Sequence, residues 1–196
     1  MTPTAQTLSP VPIAWLAALL PLVTIHLCFV VSAAEGHIDW CLPYWDGCSS
    51  ISRAGRHGTA YFLFKGGMIP ALVMQALFWT LNRRWLRACG GPDQRSLMIM
   101  GWVAAFCLLL YTLTLGHRGD TFHLLRRIGV MGYFGLTFIA QLRLSAALAA
   151  LPDWSHAGRR LLRLCALALG LGFCLCSSGR SGPSVMTTWR TASSGS

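Results

Sequence analysis

The sequence predicts an all-α fold, a polytopic transmembrane helix bundle with five spans. Of the 196 residues, 54% are hydrophobic and only 11% are charged, whereas soluble domains carry about 25% charged residues. Several apolar runs approach or exceed the roughly 20 residues that a helix needs to cross a bilayer. Backbone groups in hydrocarbon have no water to bond, so these runs are expected to be helical. We therefore expect residues 1–176 to form a single transmembrane helix bundle.

Each predicted span is an apolar run between polar loops. The first has an uncharged start and a long apolar run, unlike a cleaved signal peptide, which has a basic start and a short apolar core. Short connections favour antiparallel neighbours. The predicted spans cover residues 12–34, 59–81, 97–115, 128–151 and 161–176.

Arginines between the spans predict the orientation. Seven lie in the second and fourth loops and five in the first and third, and the positive-inside rule places the richer loops in the cytoplasm. The amino terminus is then cytoplasmic, and the other two loops face outward. Because this placement explains the net charge of +10, we expect no nucleic-acid binding. The inner arginines are Arg83, Arg84, Arg87, Arg95, Arg159, Arg160 and Arg163, and the outer ones are Arg53, Arg56, Arg118, Arg126 and Arg127.

The outer loops contain candidates for binding phospholipid headgroups. Ser50 and Ser52 offer hydroxyl groups for a phosphate beside Arg53 and Arg56, although ordinary turns use the same residue types. Lys65 lies about two turns inside the second span, where a charge must snorkel or find a partner such as an outer carboxylate or a lipid phosphate. The candidate headgroup ligands are Ser50, Ser52, Arg53, Lys65, Arg126 and Arg127.

The third loop also offers an acid–base pair. Asp120 with His117 or His123 has the chemistry of general acid–base catalysis. The sequence lacks the G-x-S-x-G and H-E-x-x-H patterns of known hydrolases. Headgroup contact is therefore favoured over catalysis, and no cofactor or metal is expected.

Two cysteines lie in the first outer loop. Cys41 and Cys48 would face an oxidising compartment, where a disulfide closing a small loop is favoured. Two free thiols remain the alternative.

Two stretches resemble a known family. Ser50-Ile51-Ser52 with Gly55, ahead of an aromatic-rich span, and the segment from Arg127 to Gly135 are similar to motifs of the FRAG/DRAM/SFK family, which includes the amino-terminal part of CWH-type lipid-remodelling proteins. The resemblance covers most of residues 10–176. It implies six spans with cytoplasmic termini and a role in lipid-anchor remodelling, lipid asymmetry or the scaffolding of lipid kinases. The small size without appended domains is typical of a bacterial inner-membrane member.

The tail at residues 177–196 departs from the family pattern, because a sixth span is missing. Its Ser, Gly, Thr and Arg content is typical of a disordered end. A frameshift is the other interpretation. In a shifted frame Met186-Thr187 forces an Asp, and the neighbouring codons permit an acidic stretch ending in the Glu-Trp pair common at the family's sixth helix. The coding DNA tests the frameshift interpretation, because a frameshift requires a long apolar reading frame downstream in the shifted frame.

Three functions remain open. The first is a non-enzymatic membrane protein that binds or organises phospholipid through its outer polar face. The second is a lipid-modifying enzyme related to lipid-anchor remodelling. The third, a small transporter, is disfavoured because the sequence shows no obvious inverted repeat.

Overall fold

The chain is a bundle of long helices joined by short connections. A computed structural model describes residues 10–46, 49–117 and 119–178. Every regular element in those ranges is helical, including a short 3₁₀ turn at Pro152–Trp154. The α-helices are α1 (Pro10–Ala34), α2 (Pro43–Asp46), α3 (Ile51–Ala54), α4 (Gly58–Ala88), α5 (Arg95–Thr114), α6 (Asp120–Ala150) and α7 (Ser155–Ser178).

Four helices in the described part of the chain, α1, α4, α5 and α6, are long and apolar enough to cross a membrane. The first four predicted spans coincide with them for most of their length. The fifth lies in α7, which is not one of the four, so the count of five spans stays a prediction. Residues 179–196, nearly all of the predicted tail, lie outside the described residues.

Two helices extend beyond the apolar runs that predicted them. α4 and α6 each have 31 residues, a length of about 46 Å, which exceeds the roughly 30 Å of bilayer hydrocarbon. The last turns of α4 carry Arg83, Arg84 and Arg87, and α6 already begins at Asp120. Both helices therefore project past the apolar region and carry charged residues there.

Small residues allow close contact between neighbouring helices. α1 packs on α4, α4 on α5, α5 on α6, and α6 on α7. A Cβ atom on Gly67 of α4 would lie 2.1 Å from the Thr24 hydroxyl oxygen of α1. A Cβ atom on Gly129 of α6 would lie 2.8 Å from the Cys107 carbonyl oxygen of α5. Close packing through small residues is typical of membrane helices.

The apolar side chains divide between the interior and the outside of the bundle. One buried cluster includes Phe64 and Leu108, and a second includes Trp79 and Leu144. Large apolar side chains also cover the exterior: Trp15 is 62% exposed, Phe106 57% and Phe173 77%. Such an extensive exposed apolar surface indicates a lipid environment.

An ionic clasp joins α4 to α5 at the end of the bundle rich in arginine. Arg83 Nε donates to Asp93 Oδ1 at 2.7 Å, and Arg83 Nη2 donates to Asp93 Oδ2 at 2.9 Å. Arg95 Nε adds a bond of 3.2 Å to the same carboxylate. Hydrogen bonding from Arg83 is the main cause that lowers the pKa of Asp93 to about 2. The clasp fixes the connection between these two helices.

Candidate functional site

A polar cavity opens at the end of the bundle where α1 ends and α4 begins. We call it the mouth cavity; its volume is about 750 Å³. Its polar lining comes from the loop after α1, from the first turn of α4 with the residues just before it, and from the loop after α5. The polar side chains are Glu35, His37, Arg56, His57, Thr59 and His117.

Glu35 connects two helices at the floor of this cavity. Its carboxylate oxygens accept the backbone N–H of Thr59 at 3.1 and 3.2 Å. That N–H belongs to the first turn of α4, where backbone donors have no partner within the helix. Hydrogen bonding from Thr59 is the first cause that lowers the pKa of Glu35, and the charge of His37 acts in the same direction. Glu35 therefore serves as a distant cap that ties α4 to the end of α1.

Glycine makes this close contact possible. Gly58 has φ +58°, and a Cβ atom there would lie 2.0 Å from Glu35 Oε2 and 2.7 Å from His37 Nε2. No side chain fits between the carboxylate and the start of α4. The conformation and the space at this position both require glycine.

Three histidines line the same cavity as Glu35. His37 Nε2 lies 3.5 Å from Glu35 Oε2. The rings of His37 and His57 have centroids 5.7 Å apart. His117 approaches from the α5–α6 loop, where its ring lies against Phe122 with centroids 5.0 Å apart. The cavity lining thus includes three imidazole rings.

Arg56 supplies a fixed positive charge to the lining. Its Nε atom is buried and has no hydrogen-bond partner. A buried guanidinium donor without a partner is costly, because it has lost water and gained nothing in return. The guanidinium group of Arg56 therefore has hydrogen-bonding capacity that no described contact at Nε uses.

Tyr61 and Phe62 form the aromatic edge of the cavity. Phe62 is 73% exposed, so its ring points away from the protein interior. Lys65, one turn below Tyr61, donates to the Tyr61 hydroxyl and lies 4.2 Å from the centre of its ring. Lys65 thus reaches toward the mouth by snorkelling along α4, and it contacts the cavity wall through Tyr61.

The two predicted arginines of α6 have different surroundings. Arg126 Nη1 donates to the carbonyl oxygens of Thr114 at 3.1 Å and His117 at 2.8 Å. Thr114 is the last residue of α5, and His117 lies in the loop that follows it. Arg126 therefore holds the loop that carries His117, whereas Arg127 is exposed.

The serine-rich turn lies apart from the mouth cavity. Ser50 lines a second cavity of about 380 Å³ with His26 and Tyr44. The Ser50 and Ser52 hydroxyl oxygens are 3.2 Å apart, and Ser50 Oγ accepts the backbone N–H of Arg53 at 3.3 Å. These contacts form a local turn, and the Arg53 side chain is exposed.

The predicted acid–base pair is not assembled by direct contact. Asp120 and His123 are exposed in the first turn of α6, and neither lines the mouth cavity. Among the described residues, no hydrogen bond or ion pair joins Asp120 to His117 or His123. A catalytic role for this trio stays a prediction, and His117 is its member in the cavity.

Cysteine and metal chemistry can be stated only for the described residues. Cys41 is disulfide-bonded, but Cys48 lies outside the described residues, so their pairing stays a prediction. Within residues 10–46, 49–117 and 119–178, no three His, Cys, Asp or Glu side chains group closely enough to hold a metal ion.

Three charged or titratable residues that line the cavity have no binding role predicted from the sequence. They are Glu35, His37 and His57. Glu35 directly follows the first span, and Gly58 opens the second, which are the two available signals. Neither reveals that the carboxylate and the helix start meet, because 24 residues separate Glu35 from Thr59.

Comparison with known proteins supplies the family. Searches of the curated proteins and of the solved structures found no significant match. The family model described as the Frag1/DRAM/Sfk1/Cwh43P N-terminal domain matches residues 10–184. The described residues form an all-helical fold with four long apolar helices, and the chain belongs to the Frag1/DRAM/Sfk1/Cwh43P N-terminal domain family and is a membrane protein.

Proposed function

We propose that this chain is a multi-pass protein of the bacterial inner membrane that binds the phosphate of a phospholipid in the mouth cavity. The single observation that carries the proposal is Arg56, a residue that lines this open cavity and whose buried Nε has no hydrogen-bond partner. An anionic phosphate oxygen is the acceptor that a guanidinium group pairs with best.

The shape of the mouth suits an amphiphile. Polar groups lie inside the cavity, and the exposed Phe62 marks its edge. A phospholipid could therefore place its phosphate among the polar groups and its acyl chains beside Phe62. Lys65, held at the wall by Tyr61, adds a second positive charge close to the binding position.

The distribution of charge favours an orientation with the mouth outside. The opposite end of α4 carries Arg83, Arg84 and Arg87, and α7 begins with further arginines at that end. By the positive-inside rule that end lies in the cytoplasm. The mouth cavity then opens at the outer leaflet.

Native mass spectrometry of the purified protein with phosphatidylglycerol tests the proposal. Arg56→Gln should weaken lipid retention about tenfold, because a charge-assisted hydrogen bond is lost. Arg84→Gln is the matched control, since Arg84 is an exposed arginine near the end of α4 that lies far from the mouth cavity. Equal retention by the wild type and the Arg56 variant, or equal losses in both variants, would contradict the proposal.

A second function is favoured by one contact. The 3.5 Å approach of His37 to Glu35 resembles an acid–base pair whose carboxylate orients the imidazole. A lipid-modifying enzyme would use His37 to move a proton at the bound headgroup. His37→Gln would then abolish chemical change of phospholipid by the reconstituted protein while leaving lipid retention intact. If the protein only binds lipid, neither the wild type nor the His37 variant will change the phospholipid chemically.

A further inference from the structure

A second cavity lies deep in the bundle, near the end opposite the mouth. We call it the inner cleft; its volume is about 270 Å³, and α1, α4 and α6 line it. Five of its side chains carry uncharged hydrogen-bonding groups: Gln75, Trp79, Tyr133, Thr137 and Gln141. The α1 wall consists of alanines and Pro21, and no charged residue belongs to the lining.

Two polar atoms in this lining lack partners. Trp79 is 1% exposed, and its indole Nε1 has no hydrogen-bond partner. The Thr137 hydroxyl oxygen is likewise buried without a partner. Buried polar groups in proteins nearly always have partners. Two residues that line one cleft therefore have hydrogen-bonding capacity that no described contact uses.

The indole is held in place by the neighbouring helix. A Cβ atom on Gly101 of α5 would lie 2.1 Å from Trp79 Cγ. The ring therefore packs against the α5 backbone, in space that only a glycine leaves open. Its unpartnered donor is a fixed feature of the cleft wall.

Pro21 adds an acceptor on the α1 side. Proline has no N–H, so the carbonyl four residues earlier, that of Ala17, loses its helical donor. Ala17 and Pro21 both line the cleft. The cleft thus combines a pure donor at Trp79 with an acceptor at Ala17, and the threonine and glutamines can serve in either role.

The cleft also opens toward the surroundings of the bundle. Gln141 lines it and is exposed, although it lies well inside the long helix α6. A primary amide in contact with hydrocarbon needs a polar partner. Gln141 therefore marks the side from which an amphiphile enters, with its apolar chains remaining in the lipid.

We propose that the inner cleft binds the hydroxyl and ester groups of a neutral glycerolipid, a diacylglycerol. Its ester carbonyls accept from Trp79 and Thr137, and its free hydroxyl donates to the Ala17 carbonyl. A phosphate is excluded, because burying its charge without a cation is costly. This site is separate from the mouth cavity and does not depend on the function proposed there.

Photolabelling of the purified full chain with a diazirine-bearing diacylglycerol tests the proposal. Thr137→Val keeps the side-chain shape and removes the hydroxyl, so labelling should fall about two- to tenfold, the effect of one lost hydrogen bond. Trp79→Phe removes the indole donor and should act in the same direction. Thr112→Val is the matched control, because the buried Thr112 hydroxyl is already bonded to the Leu108 carbonyl at 2.8 Å.

Competition separates the two lipid classes. Unlabelled diacylglycerol should suppress the labelling, whereas phosphatidic acid with the same acyl chains should not. The proposal is overturned if phosphatidic acid competes equally, or if Thr137→Val labels like the wild type. Equal losses in the Thr112 and Thr137 variants also overturn it. Since Thr137→Val preserves volume, it decides the matter even if Trp79→Phe does not fold.

Discussion

The close contact between α5 and α6 gives a stability prediction with an internal control. A Cβ atom on Gly129 would lie 2.8 Å from the Cys107 carbonyl oxygen and 3.0 Å from the Tyr111 backbone nitrogen. Both are main-chain atoms, so Gly129→Ala must push the helices apart. Overpacking of this kind costs about 1–3 kcal/mol, which lowers Tm by about 2–12 °C in a chain of this size.

Gly135 on the same helix provides the control. A Cβ atom there would have no neighbour within 4 Å. Gly135→Ala should therefore gain about 0.5–1 kcal/mol from helix propensity alone, which raises Tm by about 1–4 °C. Thermal unfolding in detergent measures both variants. If Gly129→Ala were as stable as Gly135→Ala, the packing of α5 against α6 described above would be wrong.

Three further predictions concern the charged and covalent links between helices. Because Arg83 lowers the pKa of Asp93 to about 2 from 3.8, the clasp stabilises the fold above that higher value and loses its effect as pH falls toward the lower one. Asp93→Asn should therefore lower Tm at neutral pH, with the gap from the wild type closing on acidification. The pKa of Glu35 is also lowered, so Glu35→Gln should destabilise the protein at neutral pH but not below the titration range of Glu35. A difference in Tm from the wild type that stays constant at all pH values would refute the capping role. Cys41 is disulfide-bonded, and peptide mapping without reduction should recover it joined to Cys48, whereas two alkylated peptides would refute the pairing.

Much of the helical architecture could be predicted from the apolar runs, because hydrocarbon leaves the backbone no other solution. The helix ends could not. α4 runs on through Arg83 and Arg87, and α6 begins before Arg126, since charged residues remain helical outside the hydrocarbon. Hydropathy reports where the lipid ends rather than where the helix ends.

The candidate site could be predicted only in part. The sequence identified Lys65 as unusual, and the structure places its ammonium group against Tyr61. The sequence also identified Arg126 as a candidate headgroup ligand, but its guanidinium group donates to the carbonyls of Thr114 and His117. Which charges stabilise helix ends and which remain for a ligand depends on contacts between distant segments. Glu35 and Arg56 acquire their roles only through such contacts.

The most direct test of the central claim is an experimental structure of the protein in nanodiscs that contain phosphatidylglycerol. We expect phosphate density in the mouth cavity within hydrogen-bond distance of the Arg56 guanidinium group, with the acyl chains passing Phe62. Lipid phosphate bound only at the exposed Arg53 or Arg127, with the mouth cavity occupied by water, would contradict it.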